Sequence, residues 1–143
     1  MESQHNSQPA SPHPANAFRK AIEAQDHAAL IQTLAPDVVF HSPIVYHDYV
    51  GHEAVAPILA AVMDVFADFF YVDEFTAPDG KVLLFRTHVG ERDLEGVDIL
   101  KFDAAGLIRE FTVMVRPYSA ATALRAAMAA KLAALQGDSP SGL

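Results

Sequence analysis

The sequence predicts an α+β domain in which one curved antiparallel sheet wraps around N-terminal helices and leaves a single central cavity. Three observations predict it. Apolar residues recur at helical spacing through the first half of the chain. Four segments of the second half alternate with a period of two and are joined by turns rich in Gly, Pro and Asp. One acid, Asp98, stands inside the apolar run Val97-Asp98-Ile99-Leu100. Helices gathered on one face of a twisted sheet form an α+β layer architecture, and the concave side is a natural ligand site.

The elements follow in order. Phe18, Ala21 and Ile22 mark the buried face of a first helix. Asp26 has the chemistry of an N-cap for a short second helix carrying Leu30, Ile31 and Leu34, stopped near Pro36. Val38-Val39-Phe40-His41-Ser42 reads as a short strand ended by Pro43. A third helix is expected from near Gly51, with Val55, Ile58, Leu59, Val62, Met63 and Phe66 as its apolar stripe. Pro57 inside it predicts a kink or a later start. Strands are expected over 69–76, 82–89, 94–102 and 107–116 as successive hairpins, followed by a helix capped by Ser119 with Leu124, Met128, Leu132 and Leu135 along it.

The domain spans residues 15–135. Residues 1–14, with Pro9, Pro12 and Pro14, read as a flexible tail in which His5 and His13 are solvated, and 136–143 as a second tail. At 143 residues, 51% hydrophobic and 20% charged, the chain makes one globular domain with a real core. A net charge of −8 with no basic patch disfavours nucleic acid and anionic membrane surfaces as partners. The absence of cysteine excludes disulfides, thiolate metal sites and cysteine nucleophiles. No run approaches the roughly eighteen apolar residues of a membrane helix, and the N-terminus has no signal-peptide pattern, so the cytoplasm is the expected location.

Asp98 is the residue that needs an explanation. An unpaired carboxylate in an apolar strand costs several kcal/mol, against a total stability of about 5–15 kcal/mol for a domain. Arg86 and His88 lie on a neighbouring strand and are expected within its reach. Two readings stand side by side. In one, Asp98 is an acid of raised pKa with His88 as base and Arg86 orienting them. In the other, Asp98 and Arg86 form a structural ion pair. His41 and Ser42, at the end of the first strand, line the mouth of the cavity or simply end the strand. Tyr46, His47, Asp48, His52 and Glu53 match no compact metal motif and read as a solvated loop. Arg109 and Glu110 read as surface charges. There is no phosphate loop and no dinucleotide fingerprint, so no cofactor and no metal are expected.

Two N-terminal helices are followed by Asp37-Val38-Val39-Phe40-His41-Ser42-Pro43 and Gly51-His52-Glu53-Ala54-Val55. Then comes Gly96-Val97-Asp98-Ile99-Leu100-Lys101-Phe102-Asp103, with Gly106-Leu107-Ile108 after it. This layout resembles the NTF2-like superfamily, most closely its SnoaL-like branch, over about residues 15–135. The resemblance implies a cone-shaped fold, a pocket for a small apolar molecule and a homodimer packed sheet to sheet. Phe18, Tyr46, Met63 and Phe111 join His41 and Ser42 as the pocket lining it implies. It does not fix an activity, because the superfamily holds isomerases, cyclases, epoxide hydrolases, dehydratases and non-enzymes. Against the ketosteroid isomerase pattern, Asp98 matches the late-strand Asp, but Ser42 stands at the base position and Phe18 near the Tyr position. Against the limonene epoxide hydrolase pattern, Arg86-Thr87-His88 keeps the Arg, puts His at the first Asp and has no carboxylate in Phe111-Thr112-Val113-Met114-Val115. The SnoaL-type cyclase base on the last strand is also missing, unless Glu110 supplies it.

Overall fold

Short turns between alternating segments fold the second half of the chain into a meander. The computed structural model, which describes residues 13–136, follows that logic. Its elements are α1 (Ala15–Ala24), α2 (His27–Gln32), β1 (Leu34–His41), β2 (Asp48–Val50) and α3 (His52–Val65). They continue as β3 (Ala67–Ala77), β4 (Gly80–Val89), β5 (Arg92–Phe102), β6 (Ile108–Arg116) and α4 (Tyr118–Gln136). One six-stranded sheet has the order β2-β1-β6-β5-β4-β3. The last four strands pair antiparallel with their chain neighbours, as expected, whereas β1 lies parallel to β6 and carries β2 on its other edge.

Local chemistry accounts for the boundaries. Asp26 caps α2 by accepting a hydrogen bond from the Ala29 N–H at 3.0 Å. Helix α2 ends at Gln32, and β1 begins at Leu34, earlier than the sequence suggested. The β1–β6 ladder shifts register between Leu34 and Val39, the stretch holding Pro36, which has no N–H to donate. Gly51 takes a φ of 90° as the residue before α3, and Pro57 lies within that helix. Helix α3 buries Val55, Leu59 and Met63 at a spacing of four. Ser119 sits inside the first turn of α4 rather than ahead of it. The stretch read as a solvated loop contributes β2, with Phe40 paired to Tyr49 and His41 to Asp48.

The core lies between the concave face of the sheet and the helices. Phe18 of α1 is fully buried, with its ring edge-on to Phe111 of β6 at 5.3 Å. His13 is not merely solvated: its ring meets Phe102 at 5.4 Å and its Nδ1 accepts from the Ala15 N–H. His5 and the segment 137–143 lie outside the described residues. Among those described, no helix is long and apolar enough to cross a membrane.

Candidate functional site

Strand register decides which side chains meet. Val89 and Arg92 close the β4–β5 hairpin around Gly90 and Glu91, so Asp98 pairs with Leu83 on one side and with Val113 of β6 on the other. Asp98 therefore projects from the concave face with Leu83, Phe85 and Thr87. Arg86 pairs with Glu95 and His88 with Asp93, and all four project from the convex face. The sheet thus separates Asp98 from the two partners expected for it. Arg86 is bonded to Glu95 at 3.2 Å, and Arg116 joins the same carboxylate at 3.0 Å.

Asp98 has another partner. The Tyr71 hydroxyl, on β3, donates to Asp98 Oδ2 at 2.9 Å. Both residues are buried, Asp98 with 5% of its surface exposed. Desolvation pushes the Asp98 pKa up to about 7 and outweighs the Tyr71 hydrogen bond, which favours the ionised form. Burial and the Asp98 charge hold the Tyr71 phenol well above its ordinary range. The Arg19 guanidinium lies over the Tyr71 ring at 5.2 Å, held by Glu23 at 3.0 Å and Glu74 at 2.7 Å. Tyr71 was legible only as a strand residue; with Phe69 two positions before it, its alternation marked an inward aromatic, and its hydroxyl marked a partner for a buried acid.

Asp98 lines a cavity of about 290 Å³ between the sheet and the helices. Aliphatic walls come from α3, including Leu59 and Met63, and from Leu124 and Met128 of α4, while Phe40, Phe66, Phe69 and Phe111 present rings. Phe66 and Phe69 stack at 5.9 Å, and Phe69 lies on Phe85 at 4.8 Å. Phe85 fits there because Gly96 opposite it has no side chain; a Cβ on Gly96 would lie 2.5 Å from the Phe85 ring and 2.7 Å from the Met114 carbonyl oxygen.

Of the expected lining residues, Ser42, Met63 and Phe111 border the cavity. The Ser42 Oγ accepts from the N–H groups of Ile44 and Val45, so this residue both shapes the turn and faces the cavity. Phe18 sits behind Phe111 and is not part of the lining. Tyr46 is fully exposed, its side chain projecting from the loop after Pro43. His41 alternates with inward Phe40 and so projects from the convex face, where Nδ1 meets Asp48 and Nε2 meets Glu110, each at 2.7 Å. Both partners are acceptors, so the His41 ring serves them as an imidazolium, and its pKa is raised, first by the Glu110 hydrogen bond. Glu110 is therefore paired on the convex face, remote from the role of a cavity base.

Two acids that the sequence left unremarked stand at the rim: Glu23 of α1 and Asp68 of β3. Asp68 takes a left-handed φ of 52° beside a register shift in β3. Its Oδ2 accepts from His88 Nε2 at 2.7 Å, while His88 Nδ1 donates to the Gly90 carbonyl. His88 thus touches the site only through Asp68. His52 bonds the Leu34 carbonyl and Asp48 bonds His41, which divides the polar run around β2 between two neighbours. Among the described residues, no three His, Asp or Glu side chains converge on a point that would hold a metal ion.

A helix-filled, unclosed sheet around a largely apolar cavity defines an NTF2-like pocket protein. The SnoaL-like domain model matches residues 15–111, and the chain belongs to that family. A steroid delta-isomerase from Pseudomonas aeruginosa superposes with a TM-score of 0.84 at 36% identity, over 90% of this chain and 98% of that one. A bacterial protein of cystatin-like fold from Silicibacter pomeroyi gives 0.82 at 33% identity, with 89% of each chain covered. An NTF2-like protein from Mesorhizobium loti, at 19% identity, shares the fold with a TM-score of 0.65 over 82% of this chain and 98% of that one. No curated protein matches the chain.

Proposed function

We propose that this protein binds a small, largely apolar molecule with that molecule's polar atom on Asp98, and moves a proton through the Asp98 carboxyl. The observation that carries the reading is a buried acid with one oxygen held by Tyr71, lining a largely apolar cavity. A carboxyl that titrates near 7 is available in both forms at neutral pH, where acid–base catalysis is most effective. Tyr71 is the sole side chain hydrogen-bonded to Asp98 among the described residues, so the carboxyl itself both gives and takes the proton. That suits isomerase, cyclase, hydrolase or lyase chemistry of the simplest kind, and the steroid delta-isomerase likeness supports the first of these. Arg86 and His88 have no direct part in it, and their paired carboxylates, Glu95 and Asp68, are the groups they position.

Turnover of an enone, epoxide and polyketide-like panel tests this. Asp98→Asn is expected to lower the rate at least about a hundredfold, and the wild-type rate to change near pH 7. An unchanged rate in the variant contradicts the reading. Binding without turnover is the second reading. It is favoured by Ser42, a turn-forming hydroxyl where the isomerase pattern has its base.

We also propose a homodimer packed through the convex face, in a cytoplasmic setting. Val82 pairs with Ile99, and Leu84 with Val97 and thence Met114, which sets a contiguous apolar patch across three strands. Met114 leaves 57% of its surface exposed in the single chain. Sedimentation of the wild type and of Leu84→Asp tests it: a dimer that the variant dissociates supports the proposal, and a wild-type monomer overturns it.

A further inference from the structure

The ionisable groups that border the cavity are all acids: Glu23, Asp68 and Asp98. Among the described residues no Lys, Arg or His borders it. The cations that answer the two rim acids lie outside the lining, Arg19 on Glu23 and His88 on Asp68. Deeper in, no Lys, Arg or His among the described residues bonds Asp98. Asp98 itself meets the Tyr71 hydroxyl of β3, Leu83 of β4 and Val113 of β6, and the cavity it lines is walled by Ile22 and Glu23 of α1, Leu59 and Met63 of α3, and Leu124 of α4. Tyr71 occupies Oδ2 alone. The remaining walls include the rings of Phe66, Phe69, Phe40 and Phe111, and aromatic rings attract cations.

We propose that the natural ligand of this cavity is a small apolar amine, bound as its ammonium ion with an N–H on Asp98 and its carbon skeleton against the phenylalanine rings. The proposal rests on the reading of the cavity as a ligand site and adds the ligand's charge. A carboxylate ligand would meet like charge in a low-dielectric space, and nothing in the lining would offset it. A neutral acceptor, such as a ketone, needs Asp98 protonated. An ammonium ion needs it ionised. The two ligand classes therefore have opposite pH dependence, because the empty site gains its proton near pH 7.

The test is titration calorimetry on the full chain with N,N-dimethylbenzylamine, acetophenone and phenylacetate, from about pH 5.5 to about pH 8.5. The expected result is amine binding that weakens roughly tenfold per pH unit below neutrality, with about one proton released at the acid end and none at the alkaline end. Acetophenone should bind at least about tenfold more weakly at the alkaline end, and phenylacetate not at all. Asp98→Asn should erase both the amine preference and its pH dependence. If that variant fails to fold, the wild-type profiles alone decide. Acetophenone binding best, with affinity falling above neutrality, overturns the amine and leaves the ligand site standing. Binding by none of the three at millimolar concentration overturns both.

Discussion

Tyr71 and Asp98 join β3 to β5 across the intervening β4, through a 2.9 Å hydrogen bond made entirely inside the core. The contact fixes one carboxyl oxygen of Asp98. Its geometry also depends on Phe85, which lies between the two strands with its ring over Gly96.

Replacing Asp98 by Asn should stabilise the protein at neutral and alkaline pH. In the unfolded chain the carboxyl ionises at its ordinary 3.8, whereas in the fold it keeps its proton to about 7. Between those values unfolding releases a proton, so wild-type stability falls as pH rises, and it levels off above 7. The loss is on the order of 4 kcal/mol. Asn keeps an oxygen to accept from Tyr71 and has no charge to bury. Melting curves should show Asn several degrees higher at about pH 8 and level with wild type at about pH 4. A variant that melts lower at every pH contradicts the assignment.

Tyr71→Phe removes the one hydrogen bond that favours ionised Asp98. The Asp98 midpoint should rise further, and the fold should lose about 1 kcal/mol. Denaturant titration gives the second quantity and carboxyl NMR the first. A midpoint that falls in this variant would show that another group sets the Asp98 environment.

Gly96→Ala should cost about 1–3 kcal/mol, because the new methyl meets both the Phe85 ring and the Met114 carbonyl. The backbone contact cannot move without opening the β5–β6 ladder. Urea midpoints measure the loss, and ligand binding should weaken with it, since Phe85 backs Phe69. An Ala variant as stable as wild type contradicts this packing.

His41 holds the edge strand β2 to β1 and β6 through Asp48 and Glu110. Its pKa is raised in the fold, so its contribution is full below the ordinary 6.5 and is lost as pH rises through the raised value. Partial exposure and solvent screening keep it to about 1 kcal/mol at most. Amide exchange at Tyr49, whose N–H faces β1, should speed up on the alkaline side in the wild type. In His41→Ala it should be fast throughout. Wild-type exchange that slows toward alkaline pH, after correction for base catalysis, contradicts this role.

The fold was legible because its signals are local. The hairpins β3 to β6, the Asp26 cap and the α3 stripe all sit within a few residues of their causes. The parallel pairing of β1 with β6 joins segments about seventy residues apart, and nothing nearby encodes it. At the site, the sequence singled out Asp98 but matched it to the wrong face of β4. Counting back from a two-residue turn at Gly90 and Glu91 would have placed Asp98 opposite Leu83, turning Arg86 and His88 away. Tyr71 was harder to match with Asp98, because register shifts on either side of it in β3 upset the count from one strand to the next. Glu23 and Asp68 border the cavity through the curvature of the fold, which no periodicity records.

The most direct test is a carboxyl NMR titration of Asp98 in the intact wild-type protein, assigned by its loss in Asp98→Asn. This structure predicts a midpoint of about 7, with the Tyr71 hydroxyl proton responding to the same titration. A midpoint near or below the ordinary 3.8 would mean that Asp98 is a stably ionised structural acid, and the account of the cavity as a proton-handling site would be wrong.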